Sequence, residues 1–213
     1  SDHSRQIDAY FQQLLAQVTT PPLDAIREEL ITAVSGTLGP RPNILEPSGK
    51  NCAQIHLQHP IITESQLAEI LANENRPDSL KAKVLQATFS KVSGVHGLQD
   101  ALIKLQEDAE SAIQSGVGIL VISDRKSDEN NAPIPSLLAT GAVHHYLTKA
   151  RKRGLVGIVV ESGDARETHH MALLLGFGAS AICPYMAYET IDEVISEGLY
   201  GISPNLDPLL ARK

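Results

Sequence analysis

The sequence predicts an α/β domain: a mostly parallel sheet built from repeated strand–helix units, preceded by an N-terminal helical annex. Three observations carry this. From Cys52 onward, short apolar stretches alternate with longer segments whose apolar residues recur every three to four positions. Two of the short stretches, "VGILVIS" and "LVGIVV", are unbroken apolar runs, the pattern of strands buried on both faces. Residues 4–35 carry helical spacing instead. The expected division is a helical annex and linker over 1–45 and the α/β domain over 46–213, together one structural unit.

Taken in order, "RQIDAYFQQLLAQVTT" places Ile7, Tyr10, Phe11, Leu14, Leu15 and Val18 at helical spacing. "PP" then stops one helix and opens a second, "LDAIREELITAVSG", because proline is tolerated in a first turn and not in a helix interior. The Pro- and Gly-rich "GTLGPRPNILEPSGKN" reads as a loop and as the unit boundary. "AQIHLQ" reads as a strand. "TESQLAEILAN" reads as a helix, with Thr63 and Gln66 in the capping-box pattern. "KAKVLQATFS" reads as one strand. "GLQDALIKLQEDAESAIQSG" is the clearest helix: Leu98, Ala101, Leu102, Leu105, Ala109, Ala112 and Ile113 form a stripe, and Gly116 ends it. The remainder alternates "VGILVIS" (strand), "PSLLATGAVHHYLTKARKRG" (helix), "LVGIVV" (strand), "ETHHMALLLGFG" (helix), "ASAICP" (strand) and "AYETIDEVISEG" (helix). No fixed-period repeat or low-complexity tract interrupts this order.

Composition bounds the function. The chain of 213 residues is 42% hydrophobic but only 4% aromatic, so its core must be aliphatic. A net charge of −7 argues against nucleic acid or an anionic membrane as partner. No apolar run approaches the roughly 20 residues of a membrane span, and no signal peptide is visible. Cys52 and Cys183 are too few for a disulfide framework and lack C-x-x-C spacing, which fits a reducing compartment. The chain opens on "SDHSRQ" without Met, as a processed protein or a piece of a longer one would.

The stretch "ESGDARETHHMALLLGFGASAICPY", Glu161 to Tyr185, holds nearly every side-chain type that does chemistry. Glu161, Ser162, Gly163 and Asp164 lie just past the carboxyl end of a predicted parallel strand, where α/β proteins place their sites. The details read otherwise. Asp164 and Glu167 look like a helix N-cap and its capping-box partner, and a carboxylate there uses the amides a phosphate needs. Gly176 and Gly178 follow a helix and precede a strand, the reverse of a nucleotide loop, and read as a helix stop and tight turn. His144–His145 and His169–His170 are adjacent pairs about 100° apart on their helices, so neither pair chelates on one face. Cys183 falls mid-strand as a buried thiol, and Ser162 lacks the glycine pattern of a nucleophile elbow. A second polar loop, "SDRKSDENNAPIPS", begins at Ser123, Asp124 and Arg125, beyond the neighbouring strand. The two loops, 123–131 and 161–166, should lie side by side, with Arg125 and Arg166 available to pair with acidic groups of a partner.

"LLAQVTTPPLDAIREEL", "GILVISDR", "PIPSLLATGAVHHYL" and "GIVVESGDARETHHMALLLGFGASAICPYMAYE", in this order over nearly the whole chain, resemble the central domain of the glutamate synthase large subunit. Thr20 stands where that family often has Asn, and "NILEPSGKN" matches loosely. The resemblance implies a parent oxidoreductase that makes glutamate from glutamine and 2-oxoglutarate. It implies a glutaminase domain with an N-terminal catalytic Cys, and a synthase domain that holds FMN and a 3Fe-4S cluster, both outside this fragment. The central domain would connect these two partners and help wall the ammonia path, in the cytoplasm or a plastid stroma. On this expectation the fragment has no catalytic, cofactor or metal residues of its own. Its interdomain or tunnel candidates are Ser123, Asp124, Arg125, Glu161, Ser162, Gly163, Arg166 and His169. Two other readings stay open: a free-standing α/β enzyme with a metal or flavin site near His144 and His169, and a pure interaction module.

Overall fold

The computed structural model of the chain describes residues 5–12, 14, 24–41, 43, 45–46, 48–72, 76–203 and 206–208. In chain order these form α1 (Glu28–Ile31), β1 (Gly36–Leu38), β2 (Ile55–Leu57), α2 (Glu64–Ala72), β3 (Ala82–Gln86), β4 (Thr88–Ser90), α3 (Gly94–Gln114), β5 (Ile119–Ser123), β6 (Asn131–Pro133), α4 (Ser136–Lys149), β7 (Gly157–Glu161), α5 (Thr168–Gly176), β8 (Ala181–Cys183) and α6 (Tyr185–Ser196).

The central sheet is parallel, in the order β3-β5-β7-β8. Every residue of β5, and four of the five in β7, are buried, as their unbroken apolar runs require. Successive side chains alternate between two cores. Leu85, Leu120, Ile122, Ile158, Val160 and Ile182 pack with α3, α4 and α5. Ile119, Val121, Val159, Ala181 and Cys183 pack with Leu38, Leu57, Ile62, Leu67 and Ile70 from β1, β2, α2 and the turn before it. The strands follow one another across the sheet without reversal, so right-handed crossovers put α3, α4 and α5 on the same face. A sheet wound in one direction has no internal switch point, the place where open α/β sheets gape to admit a ligand.

The predicted helices from α2 onward are present. The capping box closes reciprocally: Thr63 N–H donates to Gln66 Oε1 (2.9 Å), and Gln66 N–H donates to Thr63 Oγ1 (3.3 Å). Gly116 ends the turn after α3 with φ +85°. Gly178, at φ +110°, makes the turn into β8; a Cβ there would lie 2.1 Å from His144 Nδ1.

The amino-terminal third departs from the sequence pattern. The first predicted helix is, over its described part, a 3-10 turn at Ile7–Tyr10 followed by extended backbone at Phe11; Leu15 and Val18 lie outside the described residues. Instead of continuing a stripe, Ile7 packs against the helical core and Phe11 meets Phe177 edge-on at 5.5 Å. The second predicted helix is the single turn α1. The Gly- and Pro-rich stretch read as loop contains β1, which pairs antiparallel with β2 (Thr37 opposite His56) and buries Leu38 fully. Gly157 permits this approach, because a Cβ there would meet Leu38 Cδ1 at 2.6 Å. "KAKVLQATFS" is also not one strand. Its first half joins the main sheet as β3, while β4 turns away to pair antiparallel with β6.

Candidate functional site

The carboxyl edge of the sheet gathers most of the predicted polar residues. β5 and β7 are neighbours in register, Ser123 opposite Glu161, so the loops that leave them run side by side as the strand pattern anticipates. Asp124 N–H donates to the Glu161 carbonyl at 3.3 Å, and Gly163 N–H donates back to the Asp124 carboxylate at 2.9 and 3.0 Å.

Behind this lies a buried polar cluster. Ser162 is 0% exposed, Ser136 4% and Asp124 4%, so each polar atom needs a partner. Ser136 Oγ and Ser162 Oγ are 2.8 Å apart. Ser162 Oγ donates to Asp164 Oδ1 and accepts the Ala165 N–H at 3.0 Å. The Tyr185 hydroxyl, at the start of α6, acts on the Asp124 carboxylate and favours its charged form. Burial raises the Asp124 carboxyl above its ordinary value, against the Gly163 N–H and Tyr185 hydroxyl, which favour the anion. The Tyr185 hydroxyl is also pushed up, by burial and then by the charge of Asp124.

In front lies a charged cluster centred on Arg125. Its Nε donates to Glu161 Oε1 at 2.6 Å, another guanidinium nitrogen to Glu64, and a third reaches Glu189 at 3.4 Å. The guanidinium sits 4.1 Å from the Tyr185 ring centroid, a cation–π contact. Ser123 Oγ donates to the other Glu161 oxygen at 2.6 Å. Burial works against the charged guanidinium, but the hydrogen bonds and charges of Glu161 and Glu64 outweigh it and raise its pKa. Arg125 therefore ties β5, β7, α2 and α6 together within the chain. Arg166, exposed as Arg125 also is, makes no ion pair among the described residues.

Asp164 also has a role its local pattern did not indicate. Glu167, not Asp164, occupies the N-cap of α5. Asp164 Oδ2 instead accepts the N–H of Ser136, the first residue of α4, at 3.1 Å. It thus satisfies a free amide of a different helix.

The histidines divide between the two ends of the sheet. His169 is exposed and lies in the first turn of α5, which leaves the carboxyl edge. Its neighbour His170 is buried and accepts the Arg166 N–H through Nδ1 at 3.3 Å. His144 lies at the opposite, amino edge, where its Nδ1 accepts from Arg153 Nε at 3.1 Å and Arg153 also holds the Gly178 carbonyl at 2.6 Å. Burial first, and then the Arg153 charge, lower the His144 pKa. A ligand shared by His144 and His169 would have to span the length of the strands. Among the described residues no group of three or more His, Cys, Asp or Glu is placed to hold a metal.

Cys183 is buried in β8 and Cys52 is exposed, so no thiolates converge as an iron–sulfur cluster needs. Gly176 and Gly178 lie at the amino edge of the sheet, after a helix, so they cannot present a strand-to-helix amide cradle to a flavin phosphate. An open cleft of about 490 Å³ flanks the charged cluster, between Gln86, Thr88, Lys126, Ser127, Asp128 and Asn131.

Glu64, Ser136, Tyr185 and Glu189 complete the edge, and the sequence reading did not single them out. Tyr185 follows β8 just as Asp124 follows β5 and Ser162 follows β7, so the strand-end rule was the available signal. No comparable signal marks Glu64 or Glu189, which reach Arg125 from separate helices.

The family model described as glutamate synthase central domain matches residues 1–209. The chain is 43% identical over 203 residues to the large chain of the NADPH glutamate synthase of Bacillus subtilis, covering 95% of this chain and 13% of that protein. It is 40% identical over 199 residues to the NADH glutamate synthase of Schizosaccharomyces pombe, covering 92% of this chain and 9% of that protein. With ferredoxin-dependent glutamate synthase 1 of Arabidopsis thaliana, chloroplastic/mitochondrial by its name, it shares 42% identity over 184 residues, 85% of this chain and 11% of the relative. The chain thus spans about a tenth of the length of these relatives.

Proposed function

The chain belongs to the glutamate synthase central domain family, and from that premise we propose that it is the connecting and scaffolding domain of a longer glutamate synthase polypeptide. In this reading it holds the glutaminase and FMN-binding synthase domains in register and helps wall the ammonia path between them. The parent converts glutamine and 2-oxoglutarate to glutamate. The flavin, the 3Fe-4S cluster and the catalytic Cys belong to other parts of the parent, and this chain supplies no catalytic residue. The cytoplasm or a plastid stroma suits Cys52 and Cys183, which form no disulfide. Among the described residues, no helix is long and apolar enough to cross a membrane.

One observation carries the reading. The edge where an α/β enzyme would keep its reactive groups is occupied by side chains bonded to one another: Ser162 to Ser136 and Asp164, Asp124 to Gly163, and Arg125 to Glu161 and Glu64. Ser162, Ser136 and Asp124, buried and with their hydrogen bonds already made, are poorly placed to attack a substrate. They are well suited to stiffen a surface against which another domain seats. Stiffness matters for ammonia transfer, because a gap admits water, and protonation by water removes the lone pair that must react.

The test is made in full-length enzyme. Arg166 and Lys126, both exposed at this edge, are reversed to Glu together. Glutamine hydrolysis should continue while the glutamate formed per glutamine consumed falls and free ammonia rises. Unchanged coupling in the double variant would overturn the scaffolding role of this edge.

A further inference from the structure

In the sequence, residues 24–34 encode a second amphipathic helix, with Ile26, Leu30, Ile31 and Val34 spaced i, i+4, i+5 and i+8. The structure forms only the single turn α1 there, and every described side chain from Ala25 to Thr37 is exposed. Ile26 is 93% exposed, Ile31 54% and Val34 60%. The next residue, Leu38, is 0% exposed, so the segment is anchored to the core at one end. Short helices are marginal in water and owe their stability to packing of an apolar face. Here the helical spacing exists, and nothing among the described residues covers Ile26, Ile31 or Val34.

We infer that Ile26, Ile31 and Val34 form a docking strip, a helix completed in an apolar groove on another domain of the same longer polypeptide. Two observations identify this occupant. The chain is only 9–13% of the length of its relatives, so most of such a polypeptide lies outside it, and a tethered groove meets the strip at high effective concentration. The strip is also flanked by Asp24, Glu28 and Glu29, with Arg27 3.6 Å from Asp24 as the one cation between Asp24 and Val34. A groove edged with Lys or Arg complements that rim, whereas a second copy of the strip would set like charges against one another. The inference rests on the membership of this chain in a longer polypeptide and is independent of any role in the ammonia path.

The experiment is hydrogen–deuterium exchange on full-length enzyme. Amides of residues 26–34 should exchange at least about a hundredfold slower than in an unstructured peptide. The pair Ile26→Asp and Val34→Asp should raise those rates at least about tenfold, while α3 stays protected. Val92→Asp, at an equally exposed apolar site (93%), should change nothing in this segment. If the Asp pair also unprotects α3, the pair Ile26→Ala and Val34→Ala replaces it, with the same expected loss. Free exchange of this segment in the unaltered enzyme, or protection that survives both pairs, would overturn the inference. Protection that disappears on dilution together with a dimer would also overturn it, assigning the strip to a second copy. Glutamate formed per glutamine is recorded on the same samples. Loss of coupling with protection intact would bear on the scaffolding role alone.

Discussion

Asp124→Ala removes the acceptor on which the carboxyl edge closes. The Asp124 carboxylate accepts the Gly163 N–H at 2.9 and 3.0 Å and the Ser136 hydroxyl at 3.5 Å. Two buried donors would be stranded, each at a cost of about 1–3 kcal/mol. Part of that is offset, since the carboxylate itself is disfavoured by burial, as its raised pKa records. The net expectation is a loss of about 2–4 kcal/mol, or roughly 5–15 °C in Tm for a chain of this size. Asp124→Asn keeps one oxygen for the Gly163 N–H and should lose about half as much. The pair also separates shape from charge. Because the folded-state pKa lies above the ordinary 3.8, the folded chain keeps a proton that the unfolded chain has lost between those two values. This contribution is therefore fully present below pH 3.8, falls as pH rises through the folded value, and is flat above it. Urea unfolding at a series of pH values, comparing the chain with Asp124→Asn, should show that slope only in the unaltered protein. An Asp124→Ala loss under about 0.5 kcal/mol, the range of an ordinary surface change, would refute the account of a closed, buried edge.

Other outcomes follow from the same geometry. His144 has a lowered folded-state pKa, so its contribution is present above the ordinary 6.5 and is lost as pH falls through the lowered value; His144→Asn should flatten that part of the profile in thermal unfolding between pH 5 and 8. Gly178→Ala sets a Cβ 2.1 Å from His144 Nδ1 at φ +110°, and chemical denaturation should show a loss of about 2–4 kcal/mol. His170→Ala should cost about 1–3 kcal/mol and His169→Ala under about 0.5, because only the first is buried and bonded to Arg166 N–H; equal losses in parallel melts would contradict this packing of α5. Leu174→Ala, at 1% exposure between α5 and the sheet, should cost about 2–5 kcal/mol by the same measurement.

The sequence alone determined the elements whose reason is local. Unbroken apolar runs could only be strands covered on both sides, so β5 and β7 were legible as buried parallel strands. The stripe through Leu105, Ala109 and Ala112 defined α3, and Thr63 with Gln66 marked the start of α2. Knowing the strands also located the site edge, because residues after the carboxyl end of each parallel strand must meet there.

Tertiary structure decided whatever depends on a distant partner. Gly36–Leu38 carries almost no strand signal and becomes β1 only because Ile55–Leu57 lies opposite and Gly157 leaves room for Leu38. "KAKVLQATFS" divides because β4 finds β6, some forty residues later, rather than continuing beside β5. Asp164 has the spacing of a cap for its own helix, yet its carboxylate sits nearer the free amide of Ser136. Arg125 reads as a loop cation, and nothing local shows that Glu64, Glu161 and Glu189, from three separate parts of the chain, lie around it. Local pattern records which face of a segment is apolar and where a backbone can turn. The side chain that answers a given charge is set by the packing of elements far apart in sequence.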